Sequence, residues 1–462
     1  MRPPAMRRHP AEERLGPRLV APGDAGYDAA RGVWNGMISH RPALIARVRS
    51  AEEVALVLDL ARERDLPVSI RGGGHNVAGL AVGEGSLVVD LSEMTAVTVD
   101  PERRRARVAG GARWRDVDAA AQVHGLATPG GVVSDTGVAG LTLSGGLGWL
   151  RRKHGLAADA LVSAEVVTAD GRVLRASATD HPDLFWGLRG GGGNFGVVTE
   201  FEFELYPLGP VVATTVAVYP LADAVARLRD LRELAPTLPD EVSPLIVLSP
   251  VPDDPAFPAE VRGGAALLVL AAAAAPLEDG AGLLAPLAAL GGGAIGDAGG
   301  PAPWVEWQQF FDADYPAGRM RYYWKSSYAD ELPDATIERL VELFGRRPSH
   351  HSTIDIWPNL GAIARVPAEA TAYGRRDAAW LVSPESNWED AADDAANIAW
   401  GREVVAAVGG GAYLNFPGLL EEGEALVRGS HGSGFERLAR VKLDYDPENR
   451  FRFNANVLPA AR

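Results

Sequence analysis

Apolar residues recur at helical intervals through SAEEVALVLDLARERD, where Ser50 and Glu53 have capping-box spacing; the pattern breaks at Pro67 and resumes as the short apolar run VSI. This predicts a helix, a turn and a strand. SLVVDL (86–91), AVTVD (96–100) and ARVAG (106–110) predict further strands, and WRDVDAAAQVHG, ending at Gly125, predicts a helix. ALVSAEVVTADGRVLRAS predicts two strands about the turn Asp170-Gly171. DLFWGLRG predicts a helix, and the clean alternation from Val198 to Leu205 a half-buried strand. Between these lies GGVVSDTGVAGLTLSGGLGW (130–149), too rich in glycine for a stable helix and too apolar for a disordered linker. It reads as backbone pressed against something.

From about Gly209 alanine and proline rise, and 266–300 is nearly all Ala, Leu, Gly and Pro, which places a domain boundary near 209. Apolar or alternating segments near 211–219, 262–271, 320–328, 353–357 and 380–384, interspersed with helical patterns, predict an antiparallel sheet backed by helices. The tail SGFERLARVKLDYDPENRFRFNANVLP predicts a helix, a turn at Asp446-Pro447 and an extended end on which Asn454 and Asn456 share a side. The first fifteen residues are expected to be a loose leader.

Composition narrows the chemistry. With 462 residues, 47% hydrophobic and 23% charged, the chain is ordinary globular protein, long enough for two or three cores. A formal charge of -15 and the lack of a basic run argue against nucleic acid and leave a small molecule as the expected ligand. Cysteine is absent, which excludes disulfides, thiolate metal sites and a cysteine nucleophile. No spacing such as H-E-x-x-H supports a metal, and no G-x-S-x-G supports a serine nucleophile. Neither an export signal nor a stretch of 18 apolar residues occurs, so the expectation is a cytoplasmic protein without a membrane partner.

Several positions then invite chemistry. Gly72, Gly73 and Gly74 allow backbone N–H groups to surround an anion, and Arg71 beside them offers a positive charge for phosphate; by residue type alone a tight turn needing positive φ is the stronger account of the glycines. GGGNFG (191–196) matches G-x-G-x-x-G by letter, but a helix precedes it and a strand follows, the reverse of the dinucleotide-binding order. His75 is a loop histidine, a metal ligand or a group bonded to a cofactor. Asp355, among Ile354, Ile356 and Trp357, lies on a solvated edge or in a pocket where desolvation would raise its pKa toward that of a useful base. GAYLNFPG reads as a strand with Tyr413 and Asn415 on one face, and RYYWKSSY as one with Tyr323 and Lys325 on a shared face, either core or cavity wall.

RGGGHN, GGVVSDTGVAG, GLRGGGGNFGVVTEF, YLNF and YDPENRFRFNAN occur in this order, and with them the chain resembles the berberine-bridge-enzyme-like FAD-linked oxidases of the vanillyl-alcohol-oxidase fold, in their bacterial branch. The resemblance spans nearly the whole length. It implies an α+β architecture: a PCMH-type, two-subdomain FAD-binding domain over 1–208, a substrate domain with a large antiparallel sheet backed by helices over 209–416, and a C-terminal segment, 417–462, returning to the first. It implies FAD, with Arg71, Gly72, Gly73, Gly74, His75 and Asn76 at the cofactor and His75 joined covalently to the flavin 8α-methyl. Many relatives attach FAD a second time through a cysteine where this chain has Val133, so a single link is expected. Thr136 matches the position gating oxygen. Gly137, Gly140, Gly146 and Gly148 are expected along the cofactor, Val197 near its adenine, and Asn415, Asn454 and Asn456 beside the flavin. Asp355 and Tyr413 are the implied catalytic residues, while Phe416 replaces the second tyrosine of plant members. The implied reaction is hydride transfer from a small alcohol, sugar, amine or biosynthetic intermediate to flavin N5, with O2 as acceptor. A dehydrogenase using another acceptor and a non-catalytic flavin-binding protein are the alternatives.

Overall fold

The computed structural model describes residues 9–461 except 252, 254 and 256. The helix expected after Ser50 spans Ala51–Glu63, and Ser50 Oγ accepts the Glu53 N–H at 3.3 Å. The reciprocal half of the capping box is absent. Glu53 is buried and its carboxylate accepts instead from Arg18 and from the Arg49 N–H, which holds its pKa down to about 2, first through the Arg18 guanidinium. The apolar face of this helix, Val54, Val57, Leu58 and Ala61, packs on a four-stranded sheet of Leu19–Val20, Leu44–Arg47, Leu87–Asp90 and Val68–Arg71, in that order, the last three parallel. Residues 10–15, expected in a loose leader, form a helix: His9 accepts the Ala11 N–H, Glu12 accepts the His9 N–H, and Ala11 and Leu15 are buried in the same core. The earlier part of that leader lies outside the described residues.

An antiparallel sheet follows, ordered Val97–Asp100, Arg105–Ala109, Val197–Glu204, Leu161–Val167 and Val173–Ser177. The alternation in its central strand puts Phe201 and Phe203 in the core and leaves Glu200, Glu202 and Glu204 half-buried on the other face. The glycine-dense tract departs from expectation, because Val138–Leu143 is helical. Burial of Val138, Ala139, Thr142 and Leu143 outweighs the weak intrinsic propensity.

Among the described residues the largest sheet has nine strands, seven on the path Gly296–Asp297, Val211–Pro220, Ala265–Ala272, Leu245–Pro250, Thr353–Pro358, Trp380–Trp388 and Arg321–Trp324, with Gly300–Pro303 and Ser327–Ala329 beside it. Helices Ala224–Leu234, Leu277–Ala288, Asp334–Gly345 and Asp394–Val408 share one core with it, and Leu147, Trp149 and Leu150 of the glycine-dense region share the other. Leu245–Pro250 escaped the sequence reading because prolines 244 and 250 bracket a short apolar run that does not alternate. GAYLNFPG is a turn rather than a strand: Phe416 N–H donates to Tyr413 O at 2.9 Å, and Ser326 Oγ accepts the Tyr413 N–H and donates to Phe416 O, so a side chain replaces a ladder partner.

The last helix, Phe435–Tyr445, packs in the core of the five-stranded sheet, and Phe451 pairs beside Val68 at the first. Buried Lys442 ties this tail down, donating to Asn194 O, Phe451 O and Asp446 Oδ2. No helix among the described residues is long and apolar enough to cross a membrane.

Candidate active site

Where Val68–Arg71 ends, the chain enters Gly72-Gly73-Gly74, and one cavity opens against this loop, with about 1760 Å³ between its walls, mouth included. Gly73 is required by close approach: a Cβ there would stand 2.5 Å from Gly137 Cα, and one on Gly137 would stand 2.4 Å from Gly73 N. The two loops therefore lock together. Gly140 and Gly193 differ, since a Cβ on either would meet nothing within 4 Å, leaving backbone open to a ligand.

His75 lies in this wall. Its ring stacks on Trp34 with centroids 4.1 Å apart, and Trp34 stacks on Tyr322 at 3.7 Å. Burial holds the imidazole neutral, its pKa pushed down to about 4, and Nε2 has no hydrogen-bond partner among the described residues. Asn454 Nδ2 donates to Gly193 O and Phe451 O, while its Oδ1, buried, is also unpartnered. An unpaired imidazole nitrogen, an unpaired amide oxygen and open glycine backbone in one apolar cavity suit a large, partly polar cofactor.

The opposite chemistry comes from the nine-stranded sheet. Thr353–Pro358 is central, not an edge, so Asp355 is buried and faces the cavity, as does Trp357. Thr353 Oγ1 donates to Asp355 Oδ1 at 2.8 Å. On the adjacent strand Glu385 also enters the cavity, and Tyr315 Oη donates to its Oε2 at 2.6 Å. Burial raises Asp355 to about 7, and burial together with the Asp355 charge raises Glu385 well above the ordinary carboxylate range. Tyr413 Oη accepts the N–H groups of Gly146 and Leu147 at 3.0 and 3.2 Å and an N–H of Asn415 at 2.7 Å. Its lone pairs are engaged, so it meets a ligand as a proton donor; burial raises its pKa, against the lowering effect of the three N–H groups.

Of the residues singled out from sequence, Gly72, Gly73, Gly74, His75, Asn76, Val133, Thr136, Gly137, Gly140, Asp355, Tyr413, Asn415 and Asn454 line this cavity. Arg71, Gly146, Gly148, Val197 and Asn456 do not. The Arg71 guanidinium donates to Ala30 O at 2.6 Å and is not part of the lining. Gly146 and Gly148 serve chain packing: a Cβ would meet Leu141 at 2.5 Å at the first and Gly130 O at 2.1 Å at the second. Val197 is buried in the core of the first sheet. Tyr323 and Lys325 turn to Glu421 and Glu422, and Trp324 between them faces the cavity. Sequence reasoning missed Glu385, Tyr315, Trp324, Gly192 and Gly193. For Glu385 the signal is a carboxylate in an apolar strand, like Asp355, but the apolar pattern in the sequence ends at 384.

The chain matches the FAD binding domain family over residues 42–177 and the berberine and berberine-like family over 412–458. It is 30% identical to a FAD-linked oxidoreductase of Bacillus subtilis, YgaK, over 97% of this chain and 98% of that protein. Among solved structures, 6-hydroxy-D-nicotine oxidase of Arthrobacter nicotinovorans is 30% identical with a TM-score of 0.83, covering 96% of this chain and 98% of that one. Glucooligosaccharide oxidase of Acremonium strictum, whose FAD is 6-S-cysteinyl and 8α-N1-histidyl, is 25% identical with a TM-score of 0.84, covering 96% and 97%.

Proposed function

The chain belongs to the berberine-bridge-enzyme-like FAD-linked oxidoreductases, and from that premise we propose that it oxidises a small-molecule alcohol, sugar, amine or biosynthetic intermediate, with FAD linked once through His75 and O2 as the acceptor. In this reading residues 1–208 hold the cofactor, 209–416 form the substrate wall and 417–462 close the cofactor side. The observation that carries it is a buried carboxyl, Asp355, with a pKa raised to about 7, in the same cavity as an imidazole nitrogen that lacks a partner.

FAD, when bound, supplies the two-electron acceptor for the hydride leaving the substrate. The chain's own residues do the rest. Asp355 takes the substrate proton, and Thr353 orients it by donating to Oδ1, which leaves Oδ2 without a hydrogen bond among the described residues. Tyr413, held by two backbone N–H groups and Asn415, donates to an acceptor atom of the bound molecule and so helps to orient it against the carboxylate. Phe311, Trp324, Trp357 and Phe416 exclude water. His75 and Asn454 hold the cofactor, with Gly72–Gly74, Gly140 and Gly193 giving it backbone contact.

The test is rapid mixing of the purified yellow enzyme with alcohol, sugar and amine panels, watching flavin absorbance bleach without air and return with it. A flavin that no member of the panels bleaches removes the oxidase reading; bleaching without return in air replaces O2 by another acceptor.

A further inference from the structure

We infer that the substrate enters as an organic cation, an ammonium group seated between Asp355, Glu385 and the aromatic wall, and that Asp355 removes its N–H proton before oxidation; this rests on the reading of the cavity as an oxidation site.

The charge in the cavity is one-sided. Two carboxyls line it, and among the described residues no lysine or arginine does. His75, the remaining ionisable base there, is neutral. No cation of the neighbouring elements makes an ion pair with either carboxyl among the described residues. Neither nearby cation bonds the pair: Lys325 on the adjoining segment bonds Glu421 and Glu422, Arg151 packs over Trp357 and donates to the carbonyls of Pro358, Gly148 and Pro244, and Tyr315 brings a hydroxyl with Asp314 next to it in sequence. Two buried carboxylates so placed cannot both ionise unless a cation joins them. Each has one oxygen committed, Asp355 Oδ1 to Thr353 and Glu385 Oε2 to Tyr315, while Asp355 Oδ2 and Glu385 Oε1 take no hydrogen bond among the described residues.

The walls agree with the charge. Tyr315 and Phe416 both meet Trp324 edge-on, at 5.0 and 5.6 Å, and Trp357 continues the lining. Ring faces attract cations, and aromatic walls around an acidic pair are how proteins hold ammonium groups. A neutral alcohol or sugar leaves a buried carboxylate without a counter-charge, and an acidic substrate is repelled.

The chemistry balances. One N–H bond of the ammonium breaks and its proton goes to Asp355, which frees the nitrogen lone pair. The lone pair forms a C=N bond as the adjacent C–H electrons leave as hydride to FAD. The amine is oxidised to an iminium and FAD is reduced by two electrons.

The experiment titrates the yellow holoenzyme with benzyltrimethylammonium and with neopentylbenzene, its uncharged carbon isostere, following the flavin spectrum. At pH 8 the cation is expected to bind about tenfold tighter or more, a preference that shrinks at pH 5.5 as the carboxyls take up protons and vanishes in an Asp355→Asn, Glu385→Gln double variant that keeps its flavin. Equal or tighter binding of the isostere, no spectral response to the cation, or a preference that survives the double variant overturns the inference. If Asp355→Asn still slows flavin reduction in that event, the oxidase reading stands and only the cation is lost; a protein without FAD removes both.

Discussion

Glu385 pairs directly across the ladder from Thr353, and Thr353 donates to Asp355, so the two carboxyls share one face of adjacent strands. Such a pair loses its protons in two macroscopic steps that belong to both groups. In Glu385→Gln one step near pH 7 should remain, visible as a single inflection in the pH dependence of flavin reduction. Two inflections in the variant would separate Glu385 from Asp355.

Asp355→Asn should slow flavin reduction by about 10²-fold or more while the yellow colour stays. In the unaltered protein the base is active when ionised, so the rate should fall as pH drops through about 7. Stopped-flow reduction across pH 5–9 checks both; unchanged kinetics would remove Asp355 from the mechanism.

His75→Ala should release all its flavin on acid precipitation, whereas the unaltered protein keeps the colour in the pellet. Absorbance of pellet and supernatant measures this. Pigment that stays with the variant places the link elsewhere.

Asp118 is buried between Trp304 and Gln308, whose side-chain N–H groups reach it at 3.4 and 3.1 Å, and burial raises its pKa to about 7. Its folded pKa exceeds the unfolded one, so its contribution to stability is full at low pH and is lost as pH rises through 7. Between pH 6 and 8 the loss is about 1.4 kcal/mol. Asp118→Asn, which cannot ionise, should therefore gain stability relative to the unaltered protein by about that amount over this interval, as urea denaturation reports.

Lys442→Met should cost about 3–5 kcal/mol, because it leaves buried Asp446 without its counter-charge and frees Asn194 and Phe451. Denaturant midpoints measure it. Loosened FAD should accompany the loss, since Asn454 follows Phe451 by three residues.

The glycine-rich wall of the cavity was readable in the sequence because it is local. Gly72–His75 and GVAG are short contiguous runs in which backbone freedom is confined to a few neighbouring residues, and the order of several such runs carried the family. Arg71 shows the limit, for nothing local to it forecasts that its guanidinium donates to the Ala30 carbonyl. GAYLNFPG shows it too, since alternation predicts a strand and only Ser326, distant in the chain, makes a turn of it.

The chain order of glycines, apolar runs and carboxylates was enough by itself to determine the FAD-linked family, the α+β architecture and the loop that bears His75. Tertiary structure alone decided that Asp355 is buried in a central strand, that Glu385 and Tyr315 join it, and that, among the described residues, no basic side chain does. The reason is physical: a glycine's backbone freedom is a property of its own residue, whereas a carboxyl's charge state depends on which distant segments displace its water.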